Sequence, residues 1–277
     1  MNKKNVILYA KCPLNGECLK CPIGGKAIVY GPFPSRRRGP SLGINLFPYA
    51  KTCTFNCIYC FRGKTKIHVS HISKVKTQVP LRLLRKALNN ALESLDVDVK
   101  VLDFSGSGEP TLHPRFKDLV LVAKNVAEEF GVGSLGLFTN ASLLHLRSIR
   151  KALLYLDYIE AKLDTTFNDK FTSINYPCKG VTLDRIINNL ISLRKDFDGT
   201  LSIQIMLVEI GDLGNFSIDD AYGMANALMK INPDEIHIYT VYRTPWNPDA
   251  HIVSEEDMRE YSRVLRNSGF NVKTYYK

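Results

Sequence analysis

The chain has 277 residues, enough for one large domain or two small ones, and 45% of them are hydrophobic, so a full core can be buried. No apolar run reaches the roughly eighteen residues a membrane span needs, and the apolar stretch after the charged start MNKKNVILYAKCP is too short for a secretory signal, so a soluble cytoplasmic protein is expected. Lys and Arg total 37 against 27 Asp and Glu, a net charge of +10, and residues 1–76 hold fourteen of the basic residues but one acid, Glu17, which points to an anionic partner near the N-terminal third or to a solvated basic face.

Residues 1–40 carry Cys12, Cys18 and Cys21 among glycines, prolines and the run Arg36-Arg37-Arg38. That composition reads as loop, an N-terminal Cys-rich extension held by something other than a core. Residues 41–277 read as the main domain. Candidate strands are 42–47, 99–104, 134–138, 158–163, 201–208, 235–240 and 271–275. Candidate helices lie near 80–95, 115–129, 143–155, 182–195, 217–230 and 254–267. Strand–helix alternation predicts βαβ units and a parallel sheet. Parallel barrels and open sheets both place their chemistry at the C-terminal strand ends.

Six of the seven cysteines fall within the first sixty residues. In a chain without an export signal, clustered cysteines suggest metal before disulfide. Cys53, Cys57 and Cys60 sit in one loop after the strand 42–47. Three thiolates this close can hold three irons of a cubane cluster and leave the fourth iron open. Zinc is the alternative, but structural zinc sites are closed by four ligands. The nearest further candidates here are His68 and His71.

The spacing C-x3-C-x2-C, with Tyr59 before the last cysteine, resembles the signature of the radical S-adenosylmethionine (SAM) superfamily. The resemblance implies an incomplete parallel (β/α)6-type TIM-like barrel with a short cysteine-containing extension. It implies a [4Fe–4S] cluster whose open iron chelates SAM, and an electron donor such as ferredoxin or flavodoxin. By the same resemblance Tyr59 lies beside the adenine, and Ser105-Gly106-Ser107-Gly108-Glu109-Pro110 stands in place of a GGEP-like motif at the methionine end of SAM. Asn140 and Asp164 would reach the ribose, Lys162 the carboxylate, and Gln204 the adenine region. Simpler readings exist for several of these: a helix N-cap for Asn140, a local ion pair for Lys162 and Asp164, and core packing for Met206.

The segments 30–39, 174–180 and 232–243 extend the likeness to the radical SAM group that includes the archaeal wyosine-base synthases, which act on tRNA. Those proteins bind a second cluster through three N-terminal cysteines. Here Cys12, Cys18 and Cys21 are more compactly spaced, and Cys178 stands where histidine is usual. A second [4Fe–4S] cluster, or zinc, is expected at Cys12, Cys18 and Cys21, with Cys178 as candidate fourth ligand. The expected function is radical modification of an anionic substrate, with tRNA the first candidate. A small molecule or a protein side chain is the second reading, and a non-enzymatic iron–sulfur or zinc protein the third.

Overall fold

The computed structural model describes residues 6–12, 21, 25–35, 37–76 and 79–276. Nine strands form one sheet whose spatial order follows the chain. They are β1 (Ile7–Lys11), β2 (Ala27–Ser35), β3 (Gly39–Ile44), β4 (Val101–Phe104), β5 (Ser134–Thr139), β6 (Tyr158–Lys162), β7 (Thr200–Leu207), β8 (Glu235–Thr240) and β9 (Val272–Tyr275). All neighbours pair in parallel except β2 and β3, which are antiparallel across a tight turn. From β3 onward helices connect successive strands: α1 (Leu81–Glu93), α2 (Phe116–Phe130), α3 (Arg147–Leu153), α4 (Asn168–Asn175), α5 (Leu183–Asp196), α6 (Ile218–Ile231) and α7 (Glu255–Asn267). Six crossovers on a curled parallel sheet make the expected incomplete barrel.

The strand pattern explains the two sides of the sheet, because successive side chains point to opposite faces. Leu102, Phe104, Leu135, Leu137, Ile159, Ala161, Leu201, Ile203, Ile205, Ile236 and Ile238 are buried in the apolar core. The alternate positions face the lumen and are mostly polar: Asp103, Tyr158, Glu160, Lys162, Ser202, Gln204, His237 and Tyr239. A polar lumen needs internal partners. Glu160 accepts hydrogen bonds from Tyr158 Oη (2.8 Å) and Gln204 Nε2 (2.5 Å) and lies 3.3 Å from His237 Nδ1.

Two expectations are corrected. Residues 7–11 and 27–35 are strands rather than loop. The apolar run Ala27-Ile28-Val29-Tyr30 is buried, and β2 satisfies its backbone against β1 and β3. The arginine run is not a surface patch: Arg37 pairs with Glu160 and Arg38 with Asp103, both inside the barrel. Arg36 lies outside the described residues. Gly136 leaves the room for this, since a Cβ there would collide with Asp103 and Arg38. α4 went unpredicted because its sequence, NDKFTSIN, buries little beyond Phe171 and Ile174. Among the described residues no helix is long and apolar enough to cross a membrane.

Candidate active site

The loop bearing Cys53, Cys57 and Cys60 follows β3 and is fastened from several sides. Thr52 donates its N–H to Ser107 O (3.1 Å) and accepts from Glu109 N–H (2.9 Å). Asn56 and Ile58 donate to the carbonyls of Asn175 and Ile174, each at 3.0 Å, and Cys178 N–H donates to Thr54 O at 2.8 Å. On the far side Trp246 Nε1 donates to Cys57 O at 2.7 Å. Phe55 and Ile58 anchor the loop in the core. These ties come from the C-terminal ends of β4, β6 and β8, the rim where the sequence located the chemistry.

Two of the three sulfurs have an amide N–H donor, and the third has the Lys51 ammonium as its nearest charge. Asn140 Nδ2 lies 3.6 Å from Cys53 Sγ, and Asn175 Nδ2 lies 3.5 Å from Cys57 Sγ. Lys51, buried to 8% exposure, donates its ammonium to Gly63 O and lies close enough to the three sulfurs to feel their charge, Cys60 most of all. Burial opposes the Lys51 ammonium, but the three nearby sulfurs outweigh it and raise its pKa. Burial pushes the thiols of Cys53 and Cys57 up, so they are neutral unless iron replaces the proton. Donors aimed at sulfur favour the thiolate that an iron–sulfur cluster requires, and the residues therefore fit the cubane. Among the described residues no three His, Cys, Asp or Glu side chains gather as ligands of one metal ion. Cubane thiolates each take a different iron and need not converge on a point.

The three cysteines line a cavity of about 580 Å³ together with Tyr59, Ser105, Gly106, Gly108, Glu109, Asn140, Lys162, Gln204 and Met206. Most expected SAM contacts thus meet in one space, with individual differences. Glu109 is 2% exposed, and its carboxylate already accepts from Thr111 N–H, Thr111 Oγ1, Thr139 Oγ1 and Asn140 N–H. It joins the ends of β4 and β5. Ser105 Oγ lies 2.7 Å from Tyr30 Oη, and Ser107 is buried outside the cavity lining, its N–H donated to Asn45 Oδ1 at 3.0 Å. Asn140 also donates to Thr54 Oγ1 at 2.7 Å. Lys162 sits over the Tyr59 ring and donates to Gln204 Oε1 at 2.8 Å. Asp164 is buried behind the lining, where it accepts from Tyr59 Oη, from Asn175 Nδ2 at 2.6 Å and from Met206 N–H at 2.9 Å. Neither glycine conformation is optional: Gly106 and Gly108 have φ of +125° and +131°, and a Cβ on Gly108 would lie 1.7 Å from Thr52 O.

Cys12 and Cys21 line the same cavity. Cys18 lies outside the described residues. Cys178 is not in the lining; it packs behind the cysteine loop, where its N–H meets Thr54 O, and burial raises its thiol pKa. Cys12 and Cys21 thus border the same cavity as Cys53, Cys57 and Cys60, and Cys178 does not. Sequence reasoning also passed over Lys51, Asn175 and Trp246. Only Trp246 carried a signal, as the sole tryptophan of the chain.

A barrel of this topology, with three cysteines on the loop after its first barrel strand and a polar cavity beneath them, defines a radical SAM enzyme. The chain belongs to the radical SAM superfamily: residues 47–210 match the family of that description. It is similar to the protein called GTPase Obg of Brachyspira hyodysenteriae, with 32% identity over 240 residues, 86% of this chain and 33% of that protein. It is also similar to a UPF0026 protein of Helicobacter pylori strain J99, with 30% identity over 236 residues, 85% of this chain and 72% of that one. The chain thus spans a third of the Brachyspira protein and nearly three quarters of the Helicobacter one. Among solved structures, a radical SAM methyltransferase from Sphaerobacter thermophilus superposes with a TM-score of 0.65 at 15% identity, covering 87% of this chain and 67% of that one. That likeness concerns the fold.

Proposed function

We propose that this radical SAM enzyme carries its [4Fe–4S] cluster on Cys53, Cys57 and Cys60 and modifies a nucleotide in RNA, with tRNA the first candidate. The observation that supports the cluster assignment is the set of three sulfurs at the wall of one cavity, two with amide N–H donors and all three under the charge of Lys51. When bound, the reduced cluster supplies the electron that splits SAM into methionine and a 5′-deoxyadenosyl radical. The chain's own residues do the rest. Lys51, Asn140 and Asn175 stabilise sulfur charge. Lys162, held by Gln204, presents an ammonium for the SAM carboxylate. Tyr59 and Met206 offer the apolar surface for the adenosyl group. A reductant such as ferredoxin or flavodoxin, in the cytoplasm, would deliver the electron.

The RNA reading draws support from the excess of cations in residues 1–76 that remains once Arg37 and Arg38 are assigned to the lumen. The N-terminal extension fits a second metal centre on Cys12, Cys18 and Cys21, because Cys12 and Cys21 face the shared cavity. Anaerobic incubation of reconstituted enzyme with SAM, dithionite and bulk tRNA, followed by mass analysis of nucleosides, tests the whole. A new nucleoside is expected. The C53A, C57A and C60A variants should form no 5′-deoxyadenosine, and retention of cleavage in all three would overturn the cluster assignment. In the triple variant about four irons per chain should remain on the N-terminal centre; stoichiometric zinc without iron would reject a second cluster.

A further inference from the structure

The cavity has a mouth whose residues take no part in the cluster or the SAM contacts. Phe61 and Arg62 follow Cys60 directly, and Tyr242 and Arg243 lie just beyond the C-terminal end of β8. Arg243 sits over the Phe61 ring at 4.4 Å from its centroid, and Arg62 lies 5.3 Å from the same centroid and 4.6 Å from that of Tyr30. Phe61 therefore holds two guanidinium groups at one edge of the opening. The two segments are kept in register by Trp246, whose indole N–H donates to Cys57 O, while Asn247 N–H donates to Ile58 O at 3.3 Å.

The Arg243 guanidinium, stacked on the Phe61 ring, keeps its N–H edges available for a bidentate anion. Among the described residues no carboxylate forms an ion pair with Arg243, and its side chain is exposed. Beside it Tyr242 is 66% exposed, the highest exposure of any large hydrophobic side chain among the described residues. An exposed ring next to an exposed guanidinium, at the mouth of a cavity, matches what an unstacked nucleotide presents: an aromatic base with a phosphate attached.

We propose that Arg243, set on the Phe61 ring, and Tyr242 form a clamp at the cavity mouth, the guanidinium holding a phosphate of the nucleotide substrate while Tyr242 stacks on a neighbouring base. This deepens the RNA reading and rests on it. The clamp lies outside the Cys53–Cys60 loop and gives the enzyme a handle on a single-stranded or loop region.

The test is fluorescence anisotropy of a labelled single-stranded RNA dodecamer with anaerobically reconstituted enzyme, at several salt concentrations, with bulk tRNA and GTP as competitors. Wild type should bind with an affinity that falls as salt rises. Arg243→Gln should weaken binding about tenfold and reduce the magnitude of the salt slope by about 0.7, the loss of one phosphate contact on a single strand. Arg243→Lys should keep the slope and recover part of the affinity. Tyr242→Ala should weaken binding with an unchanged slope. Iron content and thermal midpoint are measured for each variant, and the Lys variant serves where the Gln variant misfolds. Wild-type binding that neither arginine variant alters overturns the clamp and leaves the RNA reading standing. No wild-type binding of RNA or tRNA overturns the RNA reading. If GTP then binds and Arg243→Gln weakens it, the clamp holds a mononucleotide; if GTP does not bind, the clamp falls too.

Discussion

The guanidinium of Arg37, in the turn between β2 and β3, pairs with the carboxylate of Glu160 in the middle of β6, although 123 positions separate them. Arg37 also lies over the rings of Phe138 and Tyr239. Burial works against the charged form of Glu160, but Arg37, His237 and Tyr158 outweigh it and hold its carboxyl down to about 2. The pair lies in the lumen and forms part of the cavity wall. Breaking one partner of a buried ion pair leaves the other charge unpaired, at a cost of about 3–5 kcal/mol. Arg37→Gln should therefore lower the urea midpoint sharply. The double variant Arg37→Gln, Glu160→Gln should recover a large part of the loss, since both charges then go together. A double variant no more stable than the single one would show that the ion pair is not what Arg37 contributes.

Lys51 gives a prediction that separates cluster tuning from folding. Its side chain is buried, its ammonium donates to Gly63 O, and all three sulfurs act on its charge. Hydrogen bonds and charge at the sulfurs set the reduction potential of a cluster. An interaction worth about 1 kcal/mol more in the reduced state corresponds to roughly 40 mV in a one-electron couple. Lys51→Met should shift the potential at least that far negative while four irons remain bound. An unchanged potential in an iron-replete variant would remove Lys51 from this role.

The parts of this molecule that read well from sequence are those where local pattern and tertiary environment agree. β5, β6 and β8 alternate helix-facing aliphatics with lumen residues, and their ends fall within one residue of expectation. The cysteine loop was legible because its spacing is local. β1 and β2 were not, since the glycines, prolines and cysteines in and around them suggest loop and their stability comes from pairing with each other and with β3. The arginine run misled for the same reason. Its acidic partners, Asp103 and Glu160, arrive from strands far along the chain, and nothing near Arg37 or Arg38 announces them. Asn175 and Lys51 escaped notice because a sulfur contact is a tertiary fact.

Gly108 tests why the Ser105–Pro110 loop needs glycine. Its φ of +131° is outside the range L side chains adopt readily, and an added Cβ would lie 1.7 Å from the Thr52 carbonyl oxygen. That carbonyl accepts the Glu109 N–H that ties this loop to the cysteine loop. Gly108→Ala should separate the two loops, reduce the iron incorporated on reconstitution and lower SAM affinity together. Gly131→Ala is the control. It too has positive φ, but nothing lies within 4 Å of its added Cβ, so it should show only a modest loss of stability. Equal iron content in Gly108→Ala and wild type would mean the loops tolerate the collision.

His113 sets how stability depends on pH. It follows the short helix Pro110–Leu112 and is 1% exposed. Its Nε2 lies 3.1 Å from Val79 O, which only accepts, so that nitrogen carries the proton. Its Nδ1 accepts from Arg115 N–H at 3.1 Å, so protonation there would remove an acceptor from a buried donor. Burial lowers its pKa to about 4 from an ordinary 6.5. Between those values the unfolded chain binds the proton and the native one does not. Stability is therefore fully present above 6.5 and falls as pH drops toward 4. The expected loss between pH 7 and pH 5 is about 2 kcal/mol. His113→Gln keeps a donor and an acceptor but cannot titrate. In urea unfolding followed by circular dichroism, wild type should lose about 2 kcal/mol more than His113→Gln over that interval, and comparing the two cancels the cluster's own sensitivity to acid. Parallel losses in both proteins would show that His113 is already protonated in the native state and that the acid sensitivity has another source.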